Sequence, residues 1–231
     1  MKSFDQEDFN YFALKNRVVG FYKEAVPLKC GKKSHCYVDW SEVMNDVYSI
    51  DKLADFVIAF TEDLLAERTL DADNISFLGV AEGTTRLGLV TQFKWAKTRE
   101  RLFRGSHSLP MGRADSSDYG PKKKGAFLGR PKGDVILLED VTTTGSSLLT
   151  TINALTEIEV PVVAAIGLTN RMGLSPEGEQ IAEPMPQATS MERRISYFHL
   201  SLARDLLPEA YRKIEPDPSI KDALEKELGT C

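Results

Sequence analysis

The chain has 231 residues, with 29 Lys or Arg against 34 Asp or Glu and a formal net charge of −5. Its length suits one large domain or two small ones, its 42% hydrophobic content excludes a disordered chain, and its mild acidity argues against a nucleic-acid partner. The apolar runs are too short to span a membrane, the acidic N-terminus is unlike a signal peptide, and three cysteines without a CxxC pair suit a reducing cytoplasm.

The first 65 residues predict two helices separated by a short strand. Apolar residues recur with a roughly helical period over Asp5–Glu24. A basic turn around Gly31 then leads into a short strand at Cys36–Trp40. Ile50–Leu65 carries its apolar residues on one face, which is typical of an amphipathic helix packed on a core.

Strands and helices alternate through the rest of the chain. Compact apolar runs that end in turn residues predict buried strands, and the amphipathic stretches between them predict helices. The expected strands cover Ile75–Ala81, Asp134–Leu138, Pro161–Leu168 and Ile195–Leu202, and the expected helices cover Leu87–Lys97, Ser147–Glu157 and Ala223–Leu228. This order predicts an α/β fold with a mostly parallel sheet flanked by helices.

Polar residues follow three of the predicted strands. They are Glu82-Gly83, Glu139–Ser146 and Thr169–Arg171. Because ligands of such sheets bind beyond the carboxyl ends of the strands, we expect these three segments to form one site.

Residues 105–133 differ from the rest of the chain. They contain six glycines and three prolines with little periodicity, and a loop of this length is usually functional or disordered. The overlapping segment 94–133 holds eleven Lys or Arg and three acids, whereas the remaining residues are strongly acidic. This positive charge indicates either an anionic ligand or a solvated basic loop, and the charge alone does not separate the two.

The most informative segment is DVILLEDVTTTGSSL, from Asp134 to Leu148. A buried strand delivers two adjacent carboxylates, Glu139 and Asp140, and a run of Thr, Gly and Ser then opens a helix. The first N–H groups of that helix favour an anion, and Gly145 lets the backbone approach it closely. The acids would repel a phosphate unless they bind the hydroxyls of the sugar that carries it. The segment therefore predicts a binding site for ribose 5-phosphate.

Two common phosphate-binding motifs do not occur in the chain. It has no G-x-x-x-x-G-K-[ST] motif and no G-x-G-x-x-G after a predicted strand. The alternative to a ribose phosphate site is an acid pair and a helix cap that bind no ligand. Two adjacent acids at the end of a buried strand would then repel each other without a compensating contact, so we favour the ribose phosphate site.

EDVTTTGSS, which begins at Glu139, resembles the signature of the type I phosphoribosyltransferases, which bind 5-phosphoribosyl-1-pyrophosphate (PRPP). Three further segments resemble the orotate phosphoribosyltransferases in particular. They are LKCGKKSHCYVDW (Leu28–Trp40), FLGVAEGTTRLGL (Phe77–Leu89) and LTNRMG (Leu168–Gly173). The resemblance extends from about Phe4 to about Pro208.

The resemblance implies a type I phosphoribosyltransferase fold in a single domain over residues 1–231. A small N-terminal hood would cover about residues 1–45, and 105–133 would form a mobile loop. The implied activity is transfer of ribose 5-phosphate from PRPP to orotate, which gives orotidine 5′-monophosphate and pyrophosphate in pyrimidine biosynthesis. The implied cofactor is Mg²⁺, held by substrate oxygens and water rather than by a protein cage, and the implied assembly is a homodimer.

The resemblance also assigns roles to individual residues. The acid pair would hold the ribose hydroxyls, and the loop after it would bind the 5′-phosphate. The PRPP-binding residues would be Lys29, Arg86, Glu139, Asp140, Thr142, Thr143, Thr144, Gly145 and Ser146. Orotate would contact the backbone of Tyr37 and Val38 and the guanidinium of Arg171, and the catalytic residues would be Arg113, Lys122, Lys123 and Asp140. The alternatives are a solvent-exposed turn lysine for Lys29 and a surface charge for Arg171.

The basic loop departs from the family's pattern, in which an arginine, two lysines and a histidine precede a glycine. RADSSDYG, Arg113–Gly120, keeps the arginine and the glycine but has Ala114, Ser117 and Tyr119 at the other positions. Lys122–Lys124 lie just beyond and either replace the missing cations or form a solvated run.

Three functions therefore stay open from the sequence. The first is the orotate enzyme, and the second is a weakly active or inactive relative that binds PRPP or a nucleotide as a regulator. The third is a phosphoribosyltransferase for another base, which Arg171 argues against because an uncharged base has no carboxylate to pair with it.

Overall fold

The computed structural model describes residues 3–28, 31, 33–66, 71–113, 126–171 and 195–229. Within these ranges the strands are β1 (Val19–Pro27), β2 (Lys33–Val38), β3 (Ile75–Gly79), β4 (Met111–Gly112), β5 (Phe127–Leu128), β6 (Asp134–Thr142), β7 (Val162–Asn170) and β8 (Ser196–Leu202). The helices are α1 (Gln6–Lys15), α2 (Ser41–Asn45), α3 (Val47–Ala66), α4 (Thr85–Lys97), α5 (Ser146–Glu157), α6 (Ala203–Ile214) and α7 (Lys221–Gly229).

The central sheet is parallel and has the strand order β3-β6-β7-β8. Gly79 at the end of β3 pairs with Leu138, and Glu139 pairs with Gly167 on β7. The carboxyl ends of these strands therefore lie at one edge, as the sequence predicted.

Helices cover both faces of the sheet because the strand residues are apolar on both sides. Val135 and Leu137 of β6 pack with Leu148 and Ile152 of α5 on one face. The intervening Ile136 and Leu138 join a larger core on the other face, which includes residues of α1, α3, α4 and α6. This arrangement confirms the predicted α/β architecture.

The N-terminal hood consists of α1 and the antiparallel pair β1–β2. The predicted helix over Asp5–Glu24 is wrong beyond Lys15, where α1 ends. Arg17 has a left-handed φ of 55°, and the β-branched Val18 and Val19 are buried as the chain enters β1. The strand predicted at Cys36–Trp40 begins earlier, because residues from Lys33 onward already pair with β1.

Two further differences concern the ends and number of elements. The predicted strand Asp134–Leu138 continues to Thr142, because its polar end still pairs with β7. The helices α2 and α6 were not predicted. The first has five residues, too few for a periodic signal, and the second contains Pro208 but buries Leu206 and Leu207.

The predicted loop over 105–133 is pinned at its base. The short strands β4 and β5 pair there, and the Arg113 N–H donates to the Ala126 carbonyl at 2.9 Å. Residues 114–125 lie outside the described ranges. Among the helices that are described, none has the length and apolarity needed to cross a membrane.

Candidate active site at the carboxyl edge of the sheet

The two carboxylates of the motif lie near the end of β6. Successive strand residues point to opposite faces, so Glu139 lies on the α5 face and Asp140 on the other. Glu139 is 6% exposed, and Asp140 is half-buried. A buried carboxylate at the mouth of a sheet suits a ligand that supplies hydroxyl donors.

Asp140 lies against the loop that follows β3. A Cβ on Gly83 would lie 2.7 Å from Asp140 Oδ2, so this carboxylate has the space it occupies only because residue 83 is glycine. The Val141 N–H donates to Asp140 Oδ1 at 2.8 Å. The loop contains a cis peptide bond between Ala81 and Glu82. The structure thus brings together two of the segments that the sequence placed at one site.

The loop after β6 leads directly into α5. Gly145 caps the helix with a left-handed φ of 72°, a conformation that glycine adopts without strain. At the exposed start of this 12-residue helix the Ser146 N–H donates to Thr144 Oγ1 at 3.4 Å, and the Thr144 hydroxyl donates to Ser146 Oγ at 3.2 Å. The hydroxyls and the helix dipole favour an anion such as a phosphate at this place.

Thr142 differs from its neighbours in the loop. Thr142 is 1% exposed. Its Oγ1 lies beside β7, 2.8 Å from the position that a Cβ on Gly167 would take. Its carbonyl accepts a hydrogen bond from the Arg171 N–H at 2.8 Å. Thr143, Thr144 and Ser146 therefore present the hydroxyls that solvent reaches.

The side chain of Tyr197, on β8, also lies against Gly167 of β7. Its Oη lies 2.4 Å from the place of a Gly167 Cβ, so the phenol crosses β7 where that strand has no side chain. Burial raises the pKa of the Tyr197 phenol, while the Thr142 hydroxyl opposes this rise and the charge of Glu139 adds to it. The phenol stays protonated at neutral pH and is available as a donor.

Arg171 follows β7 and is 6% exposed, so it is not a surface charge. Its Nη2 donates to Ser34 Oγ at 2.7 Å and to the Cys36 carbonyl at 3.0 Å, both on β2. The indole N–H of Trp40 donates to Thr169 Oγ1 at 3.0 Å and ties the hood to the same strand. The hood and the end of β7 therefore enclose one corner of the site.

Of the residues expected to contact orotate on β2, Tyr37 is exposed and Val38 is buried. Tyr37 directly follows Cys36, whose carbonyl accepts from Arg171, and Val38 is the next residue of the strand. Lys29, Lys122 and Lys123 lie outside the described residues. Ser34 and Cys36 were missed as partners of Arg171, although the alternation of a strand places residues 34, 36 and 38 on one face.

A cavity of about 640 Å³ lies between the loop after β3, the start of α4 and the β4–β5 pair. It is lined by Glu82, Thr85, Arg86, Met111, Gly112, Arg113 and Leu128. Arg86 Nη1 donates to Asn45 Oδ1 at 3.0 Å and to the Met44 carbonyl at 3.3 Å. Two arginines, Arg86 and Arg113, thus line this cavity, which favours an anionic group there.

The chain is similar to known proteins in sequence and in fold. No protein-family model matches the chain. The orotate phosphoribosyltransferase of Bradyrhizobium diazoefficiens is 28% identical over 161 residues, which cover 65% of this chain and 76% of the relative.

Solved structures match over nearly the whole chain. The structure of orotate phosphoribosyltransferase from Francisella tularensis has a TM-score of 0.55 with 19% identity, covering 96% of each chain. UMP synthase of Leishmania donovani has a TM-score of 0.59 with 18% identity over 96% of this chain, which spans only 41% of that longer protein.

The parallel sheet, the hood and these matches define the fold of the type I phosphoribosyltransferases. Within that class, the sequence is similar to orotate phosphoribosyltransferase, and both the predicted fold and the predicted resemblance are confirmed.

Proposed function

We propose that this chain transfers ribose 5-phosphate from PRPP to orotate and releases orotidine 5′-monophosphate and pyrophosphate. The observation that carries the proposal is the position of Arg171. This buried cation lies against the hood at the same sheet edge as the acid pair and the anion site of α5. A phosphorylated sugar and a base that bears a carboxylate fit these features together.

PRPP lies across the carboxyl edge of β6 in this proposal. Its 5′-phosphate accepts hydrogen bonds from the start of α5 and from Thr143, Thr144 and Ser146, while Thr142 and Gly145 contribute backbone. Glu139 and Asp140 accept hydrogen bonds from the ribose hydroxyls. Arg86 contacts the pyrophosphate side from the cavity. Lys29 is the remaining residue that the proposal assigns to PRPP.

Orotate occupies the corner between the hood and β7. Its carboxylate pairs with Arg171, and its ring lies along the backbone of Tyr37 and Val38. An arginine at this place distinguishes orotate from neutral bases, because a buried guanidinium without an anion would be left partly unpaired.

The reaction forms a bond between N1 of orotate and C1′ of the ribose and breaks the bond from C1′ to the pyrophosphate oxygen. The N1 proton of orotate passes to solvent, and the electron pair of the broken bond stays on pyrophosphate. The ribosyl centre becomes cation-like, so Asp140 on the ribose and cations on the leaving group lower the barrier. Arg113 at the loop base and Lys122 and Lys123 beyond it supply those cations in this proposal.

The residues present fit Mg²⁺ carried by the substrate. Among the described residues, no group of three or more His, Cys, Asp or Glu could form a protein cage, whereas Mg²⁺ favours phosphate oxygens, water and one or two carboxylates. Asp140, which lies against Gly83, and Glu82, which precedes Gly83 in the same loop, are the carboxylates that would hold it. When bound, the ion offsets negative charge on the pyrophosphate.

We further propose a single domain that acts as a homodimer in the cytoplasm. A largely apolar groove of about 800 Å³, lined by α3, α4 and the segment before α1 and including the exposed Phe93, supports an interface between copies there. The buried free thiol of Cys36 is in keeping with a reducing compartment.

A substrate panel tests the proposed function. The purified chain is incubated with PRPP, Mg²⁺ and either orotate, uracil or adenine, and nucleotide products are separated by chromatography. We expect product from orotate only. Product from adenine or uracil instead would assign another base, and PRPP binding by calorimetry without any product would favour the regulatory relative.

A further inference from the structure

The hydroxyl of Ser34 occupies an unusual place in the hood. Ser34 is 3% exposed and lies on β2, far from Arg171 in sequence but 2.7 Å from its Nη2 in space. The Ser34 hydroxyl also donates to the Cys36 carbonyl at 2.9 Å and accepts from the Cys36 N–H at 3.1 Å. Because its proton is used within β2, Ser34 Oγ faces Arg171 as an acceptor.

The geometry around Nη2 shows how the guanidinium is oriented. Its distances to Ser34 Oγ and the Cys36 carbonyl are 2.7 and 3.0 Å, and these two oxygens are 2.9 Å apart. Nη2 also donates to Cys36 Sγ at 3.3 Å. Three acceptors of β2 therefore surround Nη2 and hold this end of the guanidinium against the hood, with Ser34 Oγ as the nearest of them.

This orientation matters for recognition of a carboxylate. Because Nη2 is held by the hood, Nε and Nη1 are the guanidinium nitrogens left to donate to a carboxylate. Fixing Nη2 from the hood side therefore aims the remaining donors at one place. If Ser34 Oγ were lost, the guanidinium would keep its charge but lose an acceptor that fixes its plane.

We propose that Ser34 is a positioning residue for orotate: its hydroxyl holds the Arg171 guanidinium in the plane that receives the carboxylate of the base. The inference rests on the proposed function and names a residue that acts through Arg171 rather than on the substrate. It couples the hood to base recognition, because β2 and β7 must be in contact for the carboxylate to be bound.

The test compares Ser34→Ala with Ser201→Ala. Ser201 is also buried and also bonds to β7, where its hydroxyl donates to the Leu168 carbonyl at 2.8 Å. Both variants lose a buried serine hydroxyl bonded near the same strand end. We expect Ser34→Ala to raise the KM for orotate about tenfold, as the loss of one charge-assisted hydrogen bond predicts, and to leave the KM for PRPP within about twofold. Ser201→Ala should leave both constants near wild type.

Several outcomes overturn the inference. An unchanged KM for orotate in Ser34→Ala, or an equal rise for PRPP, would assign Ser34 to folding alone. An equal effect of Ser201→Ala would assign the change to general loosening of β7. If Ser34→Ala does not fold, Ser34→Cys, which offers only a weak acceptor, must show the same split between the substrates.

The wild-type chain separates this inference from the proposed function. If wild type neither turns over nor binds orotate in calorimetry, the proposed function and the role of Ser34 both fall. If wild type uses orotate but the Ser34 variants do not raise the KM for orotate above the KM change for PRPP, only the role of Ser34 falls.

Discussion

Arg171 places a positive charge between the hood and the carboxyl edge of the sheet, apart from the cavity lined by Arg86 and Arg113. Its burial and its bonds to β2 place it between the hood and the sheet. Burying an unpaired charge costs desolvation free energy. In our account the carboxylate of orotate pairs with Arg171 and offsets this cost. Recognition of orotate depends on this residue in our account.

Arg171→Ala should therefore affect one substrate far more than the other. We expect the KM for orotate to rise about 100-fold, the equivalent of ~3 kcal/mol for a charge-assisted pair, while the KM for PRPP changes little. Steady-state kinetics with each substrate varied in turn measure the two effects. Equal increases for both substrates would remove the assigned role, and thermal unfolding of the variant controls for a loss of folding.

The sequence could predict these functional residues but not their contacts. The segment EDVTTTGSS predicted the ribose phosphate site because two acids followed by hydroxyl residues after a buried strand suit few other ligands. The partners of Arg171 are 135 and 137 residues away in the chain, and only the packing of the hood on β7 brings them together. Burial of the Thr142 side chain likewise depends on Gly167 and Tyr197, which lie on other strands.

At the scale of elements, the close approach of β6, β7 and β8 positions the acid pair. Tyr197 crosses β7 at Gly167 to reach the buried side of Thr142, and Gly167 itself pairs with Glu139 in the register. A side chain at residue 167 would push these groups apart. Gly167 therefore allows Thr142 at the end of β6 and Tyr197 of β8 to pack against β7.

Gly167→Ala should lower the free energy of unfolding by ~1–3 kcal/mol, because the new methyl group overpacks this contact. Tyr197→Phe in the same chain should recover part of the loss, since Oη is the nearest atom to the new Cβ at 2.4 Å. Urea unfolding of the two single variants and the double variant gives the coupling between them. Strictly additive effects would show that the two residues do not compete for this space.

The elements themselves were predictable where local patterns are strong. α3, α4, α5 and the four strands of the parallel sheet followed from apolar periodicity, with boundaries that differ by a few residues. The turn from α1 into β1 did not follow, because Val18 and Val19 continue the apolar pattern of the helix while the backbone leaves it. Long-range pairing with β2 decides that segment.

At the scale of the whole molecule, the structure changes how the positive charge of segment 94–133 is understood. Lys94 Nζ lies 2.6 Å from Asp55 Oδ1, and Arg99 Nη2 lies 3.2 Å from Glu62 Oε1. The Lys132 ammonium donates to the Gly105 carbonyl. These cations belong to the scaffold. Arg113, in contrast, lines the cavity at the loop base. We propose that it and the loop lysines serve an anionic ligand.

The triple change of Lys122, Lys123 and Lys124 to Ala should therefore lower kcat about tenfold or more, because the leaving pyrophosphate loses stabilising charge. The matched control is Arg101→Ala, which removes a cation from the same segment that lies 3.6 Å from Asp73 on the scaffold. We expect that control to keep wild-type kcat. An unchanged kcat in the triple variant would mean that the lysines are a solvated run.

The most direct test of the central claim is the stoichiometry of the reaction itself. Wild type is incubated with PRPP, orotate and Mg²⁺, and orotidine 5′-monophosphate and pyrophosphate are quantified beside the variant that carries Glu139→Gln and Asp140→Asn. We predict equal amounts of the two products from wild type and a loss of both in the variant. No orotidine 5′-monophosphate from a wild-type chain that binds PRPP, or undiminished turnover in the variant, would contradict the account.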